Sequence, residues 1–239
     1  MVFPLYVICI SLVLGLSGAL SAGAEGLSIC RLKGESGTHY SYYRKNDLAV
    51  GWGLKRPDRG DKAVVLSIPA AFTTTSGGVV GIYAVNGKVH NRRAISKPIG
   101  GAVIIEDGDF KIFPTFKGSV FNDAFVSSLK KRKATLFQQF QIVVDGKPAS
   151  FKDKKLYQMR ALVQFKDKTD KGVIESKEEI SFQTFNRDLA GLGVVNALYT
   201  DMGAWDEGWY REPNTGRIVT IGNDRSATEK QSNWLYLYK

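Results

Sequence analysis

The sequence predicts a single α+β domain that is rich in β-strands and is built around a twisted mixed sheet. Three two-residue turn motifs, Asn86-Gly87, Asp107-Gly108 and Asp145-Gly146, each lie between apolar runs, which is typical of β-hairpins. Only two segments carry apolar residues at helical spacing, so we expect two or more helices to pack on the sheet. No internal repeat or long linker divides the chain, and one domain is therefore expected.

The first 24 residues differ in composition from the rest and are expected to be a secretory signal peptide. They carry no charged side chain, and Ala22-Gly-Ala24 fits a small-residue cleavage site. We therefore predict a signal peptide at 1–24, a folded domain at 25–239, and a secreted or periplasmic location without a membrane span after cleavage. An uncleaved N-terminal anchor is the alternative, because Met1 to Pro4 contains no Lys or Arg.

The predicted strands fill the middle of the chain and lead into or out of the turn motifs. In chain order they are Lys62 to Ile68, Val79 to Val85, Lys88 to His90, Ala102 to Ile105, Phe110 to Phe113, Leu136 to Val144, Leu156 to Phe165 and Val194 to Tyr199.

The two predicted helices are both amphipathic. Ser119 is the expected N-cap of the first, whose last turn contains the basic run Lys130 to Lys133, a placement that suits the negative end of the helix dipole. Ser181 is the expected N-cap of the second, which should stop at Gly191 or Gly193.

Charge and histidine content exclude several classes of function. The formal net charge is +10, which would favour phosphate-bearing substrates or anionic envelope polymers, although a solvated basic surface is the simpler interpretation. A secreted protein makes nucleic acid a poor candidate partner. The two histidines, His39 and His90, lie far apart without metal-ligand or triad spacing, so we predict no metal site and no cofactor.

The segment after the last predicted strand concentrates polar and aromatic side chains. Asp201 ends that strand and Gly203 allows the chain to turn, and two tryptophans and an arginine follow, Trp205, Trp209 and Arg211. Carboxylates beside aromatic faces suit a sugar site, because the faces stack on rings and the acids bind hydroxyls or transfer protons. A structural tryptophan cluster in a surface loop is the alternative interpretation.

The order helix, glycine turn, strand, acid and glycine–aromatic loop resembles the C-terminal signature of the phosphodiester glycosidase family. Thr200-Asp201-Met202-Gly203-Ala204 stands where that family has a Leu-Asp-Gly-Gly-Gly type turn. The run through Trp205, Trp209 and Arg211, with Asn233-Trp234 near the end of the chain, is similar to a secreted bacterial branch. The resemblance implies a β-rich fold with a twisted sheet and an activity on sugar phosphodiesters.

The resemblance also assigns roles to residues elsewhere. It implies Asp201 as the catalytic carboxylate, with Gly203, Trp205, Trp209 and Arg211 in the substrate-binding loop. It adds two further substrate-binding residues, Gln138 as a contact to sugar hydroxyl or amide groups and Arg160 as an anion clamp. An Arg within an apolar strand must otherwise pair with an acid, and Gln138 is otherwise a polar edge-strand residue. The alternative for Arg211 is an ion pair with a nearby acid such as Glu212 or Asp206.

One motif departs from the family. Ser67-Ile68-Pro69-Ala70-Ala71-Phe72-Thr73 stands where the family has Ala-Ile-Asn-Gly-Gly-Phe-Phe, so a proline replaces the asparagine and two alanines replace glycines. The sequence thus supports three hypotheses. The first is a hydrolase of an α-linked amino-sugar phosphodiester or a related envelope glycan. The second is a non-catalytic relative that binds glycans or polyanions, and the third is a structural protein with a tryptophan-rich core.

Overall fold

The computed structural model describes residues 26–239, so the predicted signal peptide and its alternative, an anchor, lie outside the described residues. Strands dominate the described chain. They are β1 (Ser28–Lys33), β2 (His39–Arg44), β3 (Ala49–Gly53), β4 (Val64–Pro69), β5 (Tyr83–Val85), β6 (Lys88–His90), β7 (Gly101–Glu106), β8 (Asp109–Pro114), β9 (Thr135–Gln139), β10 (Gln141–Val144), β11 (Lys147–Pro148), β12 (Arg160–Phe165), β13 (Lys171–Ser176), β14 (Val194–Tyr199), β15 (Gly208–Arg211), β16 (Ile218–Ile221) and β17 (Trp234–Tyr238).

These strands form three sheets. The first sheet has the order β1-β2-β13-β12-β14-β10-β11, the second β16-β15-β4-β17-β3, and the third β6-β5-β9-β7-β8. The predicted α+β class is confirmed, with one difference in detail. Within residues 26–239 the paired strands run antiparallel, in three sheets where one mixed sheet was expected. Pairs of consecutive strands form hairpins, which are antiparallel because parallel neighbours need long crossovers, and pairs of distant strands such as β4 with β17 are antiparallel as well.

All three predicted hairpin turns are confirmed. Asn86, Asp107 and Asp145 each have a φ of 48°, and the glycine that follows each one also has a positive φ. Two successive residues with positive φ define the tight turn whose twist matches that of the flanking strands. The turns join β5 to β6, β7 to β8 and β10 to β11.

Helix α2 (Phe182–Gly191) forms as predicted, whereas α1 (Asp123–Arg132) begins later than expected. The Ser181 side chain caps α2 by accepting from the Thr184 N–H at 3.2 Å. The predicted cap Ser119 instead follows a 3-10 turn, and Asn122 caps α1 by accepting from the Phe125 N–H at 2.9 Å. Both residue types accept this bond well, and the intervening turn decides which of them is used.

The predicted strand Leu136 to Val144 divides at Phe140. Its first part, β9, pairs with β5 and β7 in the third sheet, and its second part, β10, pairs with β14 in the first. An uninterrupted apolar run cannot show where a chain passes from one sheet to another.

Three apolar clusters hold the sheets and helices together. One lies where the sheets meet and includes Trp52, Phe137 and Leu198; the second packs α2 on the first sheet through Phe185; the third packs α1 on the third sheet through Leu129. The strand β14 therefore has packed layers on both faces, which fixes the position of Asp201 just after its end. No helix among the described residues has the length and apolar character to cross a membrane.

Candidate active site

Two segments that are far apart in sequence meet beside Asp201. The Asp201 N–H donates to the Ala70 carbonyl at 2.8 Å. The Asp201 carboxylate in turn accepts from the backbone N–H groups of Thr73 and Met202. The turn that follows β4, from Pro69 to Thr73, is therefore joined to the loop that follows β14, and both segments correspond to motifs of the family resemblance.

Side chains from distant segments of the chain fix the backbone of the Pro69 to Thr73 turn. Asn233 accepts from the Ala71 N–H at 2.7 Å and donates to the Ala71 carbonyl at 2.9 Å. Its oxygen also accepts from the Trp52 indole at 3.0 Å, and Gln139 donates to the Ala70 carbonyl at 3.3 Å. Because these backbone groups are buried and satisfied, the turn holds Asp201 in one position.

A buried ion cluster lies next to Asp201; we call it the Arg160 cluster, and it consists of Arg160, Glu175 and Asp206. Arg160 on β12 and Glu175 on β13 are direct cross-strand partners, and the Arg160 Nε donates to Glu175 at 2.6 Å. The Arg160 Nη2 lies 2.8 Å from the Asp206 carboxylate. All three side chains are at most 2% exposed. One cation therefore faces two carboxylates away from water, which leaves an excess negative charge.

Neighbouring polar groups donate hydrogen bonds to the two carboxylates of the Arg160 cluster. Gln158 donates to Glu175 at 3.3 Å, and the Asn223 N–H donates to Asp206 at 3.1 Å. The Arg160 Nη1, however, has no hydrogen-bond partner within residues 26–239. A buried guanidinium donor without a partner is costly, so this atom marks a place where a polar group of a ligand or a water molecule would be stabilised.

Burial changes the proton affinity of two carboxyl groups. It raises the pKa of Asp201 to about 7, against the effect of its two backbone hydrogen bonds, and the charge of Asp206 adds to the increase. Burial also raises the pKa of Asp206 to about 7, with Glu175 adding to the increase and Arg160 opposing it. A carboxyl group that titrates near neutral pH can both give and take a proton, as general acid–base catalysis requires.

The loop residues that the sequence predicted fall into two groups. Gly203 has a φ of +88°, which favours glycine, and Trp205 is partly exposed in the same loop as Asp201 and Asp206. Trp209 is fully buried in β15, where it pairs with Ser67 of β4. Trp205 can therefore offer an aromatic face to a ligand, whereas Trp209 belongs to the core.

The remaining predicted binding residues are engaged with the protein backbone. Gln138 accepts from the N–H groups of Ile82 and Ser96, both at 3.0 Å, and donates to the Ser96 carbonyl. Arg211 donates to the carbonyls of Arg59 and Asp61 at 2.9 and 3.1 Å. Arg160 pairs with acids, the structural alternative considered for it. Gln138 and Arg211 are therefore held by backbone groups, and Arg160 is fully buried, with its Nη1 alone lacking a partner among the described residues.

Sequence reasoning missed Glu175 and did not recognise that Asp206 belongs with Arg160. A signal for Glu175 was present, since it directly follows the apolar pair Val173 and Ile174 within a strand, just as Arg160 begins an apolar strand. The antiparallel pairing of the two strands could not be read from the sequence. Within the described part of the chain, no group of three or more metal-ligating side chains comes together.

Comparisons with known proteins show the fold. No protein-family model matches the sequence, and a search of curated proteins finds no match either. The structure is similar to the catalytic domain of zebrafish N-acetylglucosamine-1-phosphodiester alpha-N-acetylglucosaminidase, with a TM-score of 0.58 and 12% identity over 90% of this chain and 82% of that one. It is also similar to a hypothetical protein from Synechocystis, with a TM-score of 0.54 and 10% identity over 90% of this chain and 62% of that one. The chain thus has a phosphodiester glycosidase-like fold.

Proposed function

We propose that this protein is a secreted glycosidase-type hydrolase that acts on an α-linked amino-sugar phosphodiester or a related envelope glycan. One observation carries the proposal: Asp201, a carboxyl group with a pKa of about 7, lies at the junction of the two segments that resemble the phosphodiester glycosidase motifs. The shared fold with the zebrafish catalytic domain supports it.

The chemistry places a modest demand on the protein. Phosphate is a good leaving group, so cleavage of a sugar–phosphate bond needs less proton donation than ordinary glycoside hydrolysis. In its ionised form Asp201 would stabilise the positive charge at the anomeric carbon or activate the attacking water. The partly exposed Trp205 would stack on the sugar ring.

Arg160 enters this mechanism as a positioning residue. Its guanidinium is shared between Glu175 and Asp206, and it therefore fixes the Asp206 carboxylate in the same loop as Asp201. The charge of Asp206 in turn raises the pKa of Asp201. The Arg160 cluster would thus add to the effect of burial, which is the main cause of the raised pKa of Asp201.

Hydrolysis of a panel of α-linked N-acetylglucosamine phosphodiesters, including a sugar nucleotide, tests the proposal. Asp201→Asn should reduce kcat by about 10²- to 10⁴-fold, the usual contribution of an acid–base group. Asp145→Asn is the matched control, because Asp145 is exposed at a hairpin turn whose φ of 48° asparagine also adopts. Equal rates for wild type and Asp201→Asn would refute the role of Asp201.

The altered Pro69-Ala70-Ala71 segment favours a second function, a non-catalytic protein that binds glycans or polyanions. Ala70 and Ala71 are both fully buried, so their methyl groups occupy space that glycines would leave open. Under this alternative neither wild type nor Asp201→Asn releases sugar, while both bind a glycan with an affinity that falls with salt.

A further inference from the structure

An open basic groove lies at the end of β14 that is opposite to Asp201. It has a volume of about 890 Å³, and Val195 and Asn196 at the start of β14 form part of its wall. The other walls come from the β7–β8 hairpin, the β12–β13 loop and one side of α1. Since a strand rises about 3.3 Å per residue, roughly 20 Å separates this groove from Asp201. The volume suits a ligand of several sugar units.

The charges that line the groove do not balance. It has five cationic side chains and two carboxylates, and both carboxylates already have partners. Glu106 pairs with Arg132, and Asp109 accepts from Lys171 at 2.5 Å. The three cations that remain, Lys111, Lys166 and Lys168, are exposed and form no ion pair with any other described residue.

The nearby acids outside the groove offset these lysines only in part. Asp167 lies between Lys166 and Lys168 in sequence and keeps its negative charge, since the Thr169 N–H and hydroxyl that donate to it at 2.9 and 2.8 Å are neutral, but it is one acid beside three lysines. Asp170 pairs with Arg44. The rim of the groove therefore keeps a positive potential that attracts an anion.

Aromatic side chains add a second kind of contact. Phe113 of β8 and Phe165 of β12 are half-buried in the groove wall. Half-buried rings next to lysines suit a ligand that alternates apolar ring faces with anionic substituents. A simple inorganic anion would use the lysines alone, whereas an acidic sugar chain would use both.

We propose that this groove binds an anionic glycan chain at a site separate from Asp201. Its lysines contact the acidic substituents, and its phenylalanines contact the sugar rings. The inference does not depend on catalysis, because the groove and the proposed active site share no residue. If the protein is a hydrolase, the groove would hold a polymeric substrate or the envelope matrix while Asp201 acts elsewhere.

Binding of the full chain to dextran sulfate oligosaccharides, measured by calorimetry against neutral dextran of equal length, tests the proposal. The variant Lys111→Gln/Lys166→Gln/Lys168→Gln should weaken binding about tenfold or more. It should also lower the slope of log Kd against log salt by about two to three. The control Lys152→Gln/Lys154→Gln/Lys155→Gln removes three exposed lysines outside the groove and should change Kd less than about twofold.

Two further measurements separate the glycan from simple charge. Phe113→Leu should weaken binding of dextran sulfate severalfold and leave binding of inorganic polyphosphate unchanged. Asp201→Asn should bind dextran sulfate as the wild type does. Equal weakening by the groove and control triple variants would overturn the proposed site, and equal affinity for polyphosphate and dextran sulfate would overturn the glycan specificity. Unchanged melting temperatures would show that each variant is folded.

Discussion

The two ends of β14 hold opposite arrangements of charge. Beyond its C-terminal end, Asp201 is 7% exposed and Asp206 is 1% exposed, and the Arg160 cluster has more carboxylates than cations. At its N-terminal end, the groove is open and three lysines lack partners among the described residues. The same strand thus separates an enclosed acidic region from an exposed basic one.

The difference shows what each arrangement can do. Buried charges interact strongly because no solvent screens them, so the enclosed end can change a pKa and fix a geometry. Exposed charges interact weakly with each other but act together on a ligand that approaches, and salt reduces their effect. We therefore expect chemistry at the enclosed end and capture of a charged ligand at the open end.

The largest effect should come from Arg160→Met at the enclosed end. The substitution leaves Glu175 and Asp206 buried without their cation, and breaking such a pair typically costs about 3–5 kcal/mol. Urea denaturation at pH 8, which is above the pKa of about 7 of Asp206, measures the loss. The triple variant Arg160→Met/Glu175→Gln/Asp206→Asn should recover most of the stability, since no lone charge remains. A loss below about 1 kcal/mol for the single variant would show that the ion cluster is not an enclosed one.

The next largest effect is the pH dependence of stability, which has opposite signs at the two ends of β14. Folding raises the pKa of Asp201 from 3.8 to about 7, so the folded protein binds this proton more tightly than the unfolded chain does. The stabilisation that protonated Asp201 provides is therefore lost as pH rises from about 4 to 7. At the groove, burial opposes but does not outweigh the hydrogen bonds from Lys171 and the Phe110 N–H, and the pKa of Asp109 is lowered. The stabilisation that ionised Asp109 provides is lost as pH falls through that lowered pKa.

Asp201→Asn should therefore flatten the decline in unfolding free energy between pH 4 and 7. Each unit of pKa shift corresponds to about 1.4 kcal/mol, so the change across this range should reach a few kcal/mol at most. Chemical denaturation at several pH values gives the slope, with Asp145→Asn as the control that leaves it unaltered. Parallel curves for wild type and Asp201→Asn would contradict the raised pKa.

Local sequence signals predicted much of the fold. The turn motifs at Asn86, Asp107 and Asp145 and the Ser181 cap were correct because a two-residue turn or a capping bond depends on the residues within it. The break at Phe140 was not predictable, because it depends on which partner strands lie on each side. The division into three sheets likewise follows from non-local pairing.

The candidate site was predicted in part for the same reason. Asp201 and Gly203 are adjacent to a strand whose bounds were predicted correctly, so their loop was recognised. The roles of Arg160 and Gln138 depend on what each side chain meets across the sheets, and the sequence left two alternatives open for each. The contacts of Asp201 with Ala70 and of Arg160 with Asp206 join distant segments, and no local pattern encodes such distances.

The smallest effect should come from Lys171→Met at the groove. Lys171 donates to Asp109 at 2.5 Å and to the Phe110 carbonyl at 2.9 Å, and its side chain is 9% exposed. Both acceptors keep another donor, since Lys45 lies 3.7 Å from Asp109 and Gln164 donates to the Phe110 carbonyl at 3.3 Å. Asp109 is also 54% exposed, so water replaces part of what is lost. We expect Lys171→Met to lower the free energy of unfolding by about 0.5–1 kcal/mol, and by less in high salt. Urea denaturation measures this loss, with Lys168→Met as the control. A loss as large as that of Arg160→Met would mean that the groove end is as enclosed as the other, and the contrast between the two ends of β14 would fail.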